Sequence, residues 1–437
     1  MVFAVLLLLV HLGRLFDFVL SGLRIPAAIC GAAILVALFS GAAINLKSRV
    51  GLALAAFIVW MAAVTPFSFW KGGSTGYVLR FLWLSLVAML IFAAAPRTLG
   101  GLRKLFYATL VFAFLNVFLG GQAQSGIADS RLDFAGTFGN ADDLALLAGF
   151  ALPFWIFFSA QIKTAFLRVP LLLAGYFFLL RIIGLTASRM AVLGLGAMLV
   201  MYLVRATMIR RILIAATALL GSVVIAVTLP SSVLERFSTI TDSFSAAVGE
   251  QPAESEAMES AAVRRKLMLD AVSITFRHPL TGIGPGQFAA YRGDDAPADY
   301  GPKRSWQNAH CAYLQVSSES GVLGLVFYVI FLGSIYRTIQ ITRRLNSPGA
   351  HPDWRVGYEM SVCLELALVY FLACAVFLNC TEYIYQFILG GLALAAERIT
   401  KFQIDMVRVN AAPSGSLRPA TTPQSPSIDG LPRMRLS

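Results

Sequence analysis

The sequence predicts an all-α integral membrane protein, with about twelve transmembrane helices and one long helical loop outside the lipid. Three observations predict it. Apolar runs of membrane-crossing length recur along the chain. Charged residues make up only 13% of the 437 residues and hydrophobic residues 58%, with a mean hydropathy of +0.74. A soluble domain is about one quarter charged, so lipid is the main solvent here. Finally, the density of Lys and Arg alternates from one inter-span loop to the next.

The apolar runs fall at 1–21, 25–43, 50–67, 77–95, 104–120, 141–160, 168–185, 190–205, 210–229, 320–337, 359–378 and 381–397. In hydrocarbon each backbone amide must be satisfied within its own segment, so every run is expected to be a helix. The first run is apolar from its second residue and has neither a basic leader nor a small-residue cleavage site. It is expected to be a span rather than a removable signal peptide. The last two runs are nearly continuous and break around Asn379. Four segments follow: 1–229 with spans one to nine, a loop over 230–318, spans ten to twelve over 319–410, and a tail over 411–437. The tail is rich in Pro, Ser and Thr, a composition expected to be disordered.

Loops after even-numbered spans carry most of the basic residues, among them Lys47, Arg49, Arg97, Arg103, Lys104, Lys163, Arg168, Arg205, Arg343, Arg344 and Arg355. The positive-inside rule makes those loops cytoplasmic. Both termini are then inside, and the 230–318 loop is outside. The same rule accounts for the net charge of +12 and the pI near 9.7. No compact basic-aromatic patch points to nucleic acid. The five cysteines (Cys30, Cys311, Cys363, Cys374 and Cys380) form no CxxC pair and mostly lie in apolar runs, as small core residues do.

Within the long loop, Glu254–Phe276 has helical spacing, with Val263, Leu267, Ala271 and Ile274 near one face, and His278-Pro279 should end that helix. Gly282-Ile-Gly284-Pro-Gly286 follows. A dinucleotide loop is rejected for it, since no strand precedes it, no helix clearly follows, and it faces a compartment without nucleotides.

Four features at the outer side could carry chemistry. Arg131-Leu-Asp133-Phe-Ala-Gly136-Thr-Phe138-Gly139-Asn140 leads into span six, where Asn140 or Asp142 could simply cap a helix. Thr186-Ala-Ser188-Arg189 opens span eight; positive-inside placement does not explain an outer arginine flanked by hydroxyls, although such a side chain can snorkel. Arg264-Arg265-Lys266 is either a solvated face or a grip on lipid phosphate, which guanidinium binds bidentately. Asn308-Ala-His310-Cys311, followed by Glu319-Ser-Gly321, supplies the side chain best tuned to take a proton near neutral pH. A Cys311 nucleophile paired with His310 is rejected, because neighbouring side chains diverge. No spacing suggests a metal. Arginines and a histidine at a lipid–water boundary suit a phosphate-bearing lipid whose sugar is being transferred.

In this order the motifs resemble the O-antigen ligase and polymerase superfamily of bacterial envelope glycosyltransferases. The matching pieces are Arg131–Asn140, Leu185–Arg189, the arginine helix running into His278–Phe288, and Asn308–Leu314 with Glu319–Gly324. The sequence departs from the family pattern at Ala141-Asp142 (often Pro-Asn), Cys311 (often Asn) and Met268 (often aromatic). The resemblance implies a GT-C-like helical fold in the bacterial inner membrane with its active site at the periplasmic face. It implies an undecaprenyl-diphosphate-linked glycan as donor and, in ligases, lipid A–core oligosaccharide as acceptor. It also implies His310 as general base and Arg189 with Arg264 or Arg265 on the diphosphate, with Arg131, Asn308 and Glu319 as possible supports and neither metal nor cofactor.

A polysaccharide polymerase of the same superfamily is the alternative, differing in its acceptor. A transporter or flippase would need ionisable groups deep in the spans, for which Glu365 in span eleven is the best candidate.

Overall fold

The computed structural model describes residues 1–13, 25–122, 141–205, 256–295 and 307–411, with scattered positions between 208 and 221. Arg131, Asn140, most of the expected ninth span and the 412–437 tail lie outside the described residues.

The described chain is helical, with no strand. In order, the helices are α1 (Val2–Leu8, continued by a π turn over Leu9–Gly13), α2 (Ile25–Phe39), α3 (Arg49–Val64) and α4 (Lys71–Ala94, with a π turn at Leu82–Leu86). Then come α5 (Leu99–Gln122), α6 (Ala141–Ala160), α7 (Ala165–Leu185) and α8 (Arg189–Arg205). The outer segment contributes α9 (Glu256–Arg277) and α10 (Phe288–Asp295). The chain finishes with α11 (Ala312–Leu345), α12 (Trp354–Cys374) and α13 (Tyr385–Ala411). Among the described residues, seven helices are long and apolar enough to cross a membrane, beside the shorter apolar helices Val2–Gly13 and Ala28–Phe39. The protein is an all-α, multi-pass membrane protein.

The core of the bundle is α6, ringed by α5, α7, α8 and α12. Nearly every residue from Ala141 to Phe154 on α6 is buried, whereas most of α7 is left unburied by its neighbours. Small residues let the helices approach, as is usual in lipid. At Gly149 a Cβ would meet the Tyr370 ring of α12, and the Tyr370 hydroxyl donates to the Ala145 carbonyl at 2.7 Å. A second helix set, α3 on α11 and α4 on α13, completes the bundle.

The expected boundary between loop and tenth span at 318–319 falls inside α11, which already begins at Ala312. The reason is a kink. Gly321 has φ 72° and ψ 179°, a conformation nearly confined to glycine. The amide of Val322 donates to the Pro279 carbonyl at 2.8 Å, and Trp60 donates to the Ser320 carbonyl at 2.8 Å, so the broken ladder is satisfied from outside the helix.

Helix α9 ends at Arg277, before His278-Pro279, as its sequence requires. Leu267, Ala271 and Ile274 are buried with Ile283, Phe288 and Ala309 in a small separate core, with Val263 packed at its edge. This face seats α9 against the first turns of α11, where the Thr275 and Ser317 hydroxyls meet at 2.9 Å.

Candidate functional site

Several helix ends converge at one pole of the bundle. The Ala312 amide at the start of α11 donates to the Ala375 carbonyl just past α12, at 2.9 Å. The neighbouring Cys374 thiol donates to the Met190 carbonyl in the first turn of α8, at 3.8 Å. Tyr383, between α12 and α13, donates to Asp143 in the first turn of α6 at 2.7 Å. These bonds place the first turns of α6, α8 and α11 beside one another. Arg189 opens α8, and His310 stands two residues before α11.

His310 is half-buried and has φ 51°. Among the described residues, only His310 and Ala187 are non-glycine residues at positive φ, and Ala187 lies two residues before Arg189. Such conformations persist where the surrounding structure enforces them, and they concentrate at functional sites. Burial, reinforced by the Arg264 charge and partly opposed by Asp142, holds the imidazole below its ordinary pKa. The ring is therefore neutral near pH 7 and able to accept a proton.

The arginine helix separates its two candidates. Arg264 is half-buried, and its Nη2 donates to Asp142 Oδ2 at 3.1 Å. Arg265 is exposed. The reason is geometric: Arg264 precedes Leu267 and Ala271 by three and seven residues and shares their packed face. Asp142, expected only as a cap, is instead buried against an arginine.

Arg189 is half-buried at the head of α8. Of the two nearby hydroxyls, Thr186 already donates to the Ile183 carbonyl at 2.6 Å. The buried Ser188 Oγ has no hydrogen-bond partner among the described residues. Asn308 is exposed beside His310. Cys311 is buried, and burial pushes its thiol pKa up, which removes it further from nucleophile chemistry.

Glu319 has a scaffolding position. Its buried carboxylate accepts from the Gly286 amide at 2.8 Å, the Phe288 amide at 3.1 Å and Gln315 Nε2 at 2.9 Å. A helix, α10, does follow the glycine-rich stretch, contrary to expectation. The rejection of a dinucleotide loop still stands, because Glu319 occupies the helix N-terminus where a phosphate would sit. Backbone bonds from Ile283 to Ser318 at 3.0 Å and Gly284 to Glu319 at 2.9 Å fix this loop to α11. A Cβ on Gly282 (φ 64°) would collide with that backbone. The loop thus holds α9, and with it Arg264, against the helix that follows His310.

Among the described residues, no group of three or more His, Cys, Asp or Glu side chains gathers that could hold a metal ion. Glu365, the candidate for transport chemistry, accepts from Arg205, Gln340 and Arg343. Buried His351 meets Asn346 Oδ1 at 2.8 Å. Sequence reasoning missed the roles of Asp142 and Tyr383; the acidic pair Asp142-Asp143 at the mouth of an apolar helix was the available signal.

Residues 174–329 match the protein family described as O-antigen ligase. No curated protein matches the chain. The matched stretch contains Arg189, Arg264, His310 and Glu319. That match supports the O-antigen ligase superfamily as the one this chain resembles.

Proposed function

We propose that the protein transfers a glycan from undecaprenyl diphosphate to a hydroxyl of lipid A–core oligosaccharide, at the periplasmic face of the bacterial inner membrane. The observation that carries this reading is that the Arg264 charge acts on His310 at the bundle pole that also holds Arg189. His310 takes the proton of the acceptor hydroxyl, whose oxygen bonds to the anomeric carbon as the bond from that carbon to the diphosphate oxygen breaks. The sugar passes through an oxocarbenium-like transition state. Arg189 and Arg264 stabilise the charge growing on the departing diphosphate, as fixed donors do in a site that excludes water. Guanidinium suits this task because its planar fork matches phosphate oxygens. Asp142 holds Arg264 in place. Basic residues at the opposite pole, including Lys163, Arg343, Arg344 and Arg355, support the orientation with the candidate site outside.

The test is His310→Ala in the native host, with lipopolysaccharide and lipid-linked glycan read side by side. Loss of capped lipopolysaccharide with accumulation of long lipid-linked polymer is the expected result. Attachment of single repeats only would make the protein a polymerase. Unchanged lipopolysaccharide with a stably expressed variant would remove His310 as the base.

A further inference from the structure

At the pole opposite the candidate site lies a cavity of about 720 Å³, between the ends of α6, α7, α8, α11 and α12. It falls within the roughly 300–1,000 Å³ range of pockets that hold small ligands. Four guanidiniums line it (Arg168, Arg205, Arg343 and Arg355), against two carboxylates, Glu359 and Glu365. Protein donors already occupy both carboxylates. Glu365, only 2% exposed, accepts from Arg205, Gln340 and, at 2.8 Å, Arg343. Glu359 accepts from Gln161 at 2.7 Å and Arg355 at 3.3 Å. Arg168 has no ion-pair partner among the described residues. The cavity therefore carries more cationic than anionic charge, with the excess toward its exposed rim. Its wall is apolar, formed by Phe157, Leu172, Met201 and Val362.

We propose that this cavity binds an anionic glycerophospholipid, with the headgroup phosphate on Arg168 and Arg355 and an acyl chain along the apolar wall. A basic pocket between membrane helices suits this ligand, because guanidinium pairs bidentately with phosphate oxygens while the chain remains in an apolar setting. Free phosphate would use the same arginines but leave the wall uncovered. In the orientation proposed above the cavity opens at the cytoplasmic leaflet. Binding in detergent does not depend on that orientation or on the transferase reading, so the two can fail separately.

The experiment compares lipid retention by the purified full-length protein, using native mass spectrometry and thermal melting. Dioleoyl phosphatidylglycerol is set against dioleoyl phosphatidylcholine and inorganic phosphate. Phosphatidylglycerol is expected to be retained preferentially and to raise the melting temperature. The preference should fall with added salt, and should drop about tenfold or more in the Arg168→Gln/Arg355→Gln variant. Both positions are at the rim, the Glu365 cluster is untouched, and the exposed Arg355–Glu359 pair contributes little, so the variant's lipid-free melting should stay close to that of the wild type. Equal retention of the two lipids, a salt-independent preference, equal stabilisation by phosphate alone, or an unchanged preference in a folded variant would each overturn the proposal.

Discussion

The proposed base is held by its neighbours in the protonation state that the proposal requires. Burial and Arg264 lower the His310 pKa, and Asp142 pulls the other way. Wild-type His310 thus takes up its proton at lower pH than an ordinary imidazole. Replacing Arg264 with Gln removes a lowering charge and leaves Asp142, so the acid limb of the kcat/KM profile should move to higher pH. The same variant should lose about 10²–10³-fold in kcat, the usual cost of one transition-state donor. Arg265→Gln should stay within about threefold of wild type, because an exposed charge away from such features contributes little. A pH–rate series on reconstituted protein checks all three. The sequence left the choice between the two arginines open, and the structure separates them by burial and by the Asp142 pairing. Once Leu267 and Ala271 are seen to be packed, their face of α9 takes in Arg264 and leaves Arg265 exposed. The Asp142 pairing was not legible, because it joins positions 122 residues apart.

At the level of elements, apolar run length finds the helices because lipid enforces internal hydrogen bonding. It cannot find the start of α11. Ala312–Glu319 is a short, fully helical segment outside the apolar run, and the run itself is kinked at a glycine whose backbone only tertiary contacts explain. A Cβ on Gly321 would meet the Leu280 carbonyl, and φ 72° with ψ 179° adds a backbone strain of about 1–3 kcal/mol for any other residue. Gly321→Ala should therefore lower the melting temperature. It should also impair transfer more than a Leu267→Ala core truncation of equal instability, because the kink positions His310 relative to the loop. Matched melting and turnover measurements distinguish the two effects.

On the scale of the whole molecule, charge divides the bundle into two poles. At one end Arg49 and Lys401 share Glu397, at 3.7 and 2.6 Å, and Arg398 donates to the Pro96 carbonyl at 2.6 Å. At the other end stand the convergent helix starts of the candidate site. With Cys30→Ser as background, the remaining cysteines are buried, so engineered thiols report cleanly. Phe276→Cys should react with a membrane-impermeant maleimide in intact spheroplasts, and Lys163→Cys only after permeabilisation. The reverse pattern would invert the orientation.

In the language of binding, Glu319 is a tethered ligand. Its carboxylate fills an anion-binding helix terminus at a local concentration set by the fold, one that no soluble competitor reaches. Removing the tether should expose the vacancy. Glu319→Gly would leave the Gly286 and Phe288 amides without their acceptor, at about 1–3 kcal/mol for each orphaned donor. Millimolar formate should then recover part of the lost melting temperature in that variant and none in the wild type, turning a structural side chain into a titratable small-molecule dependence.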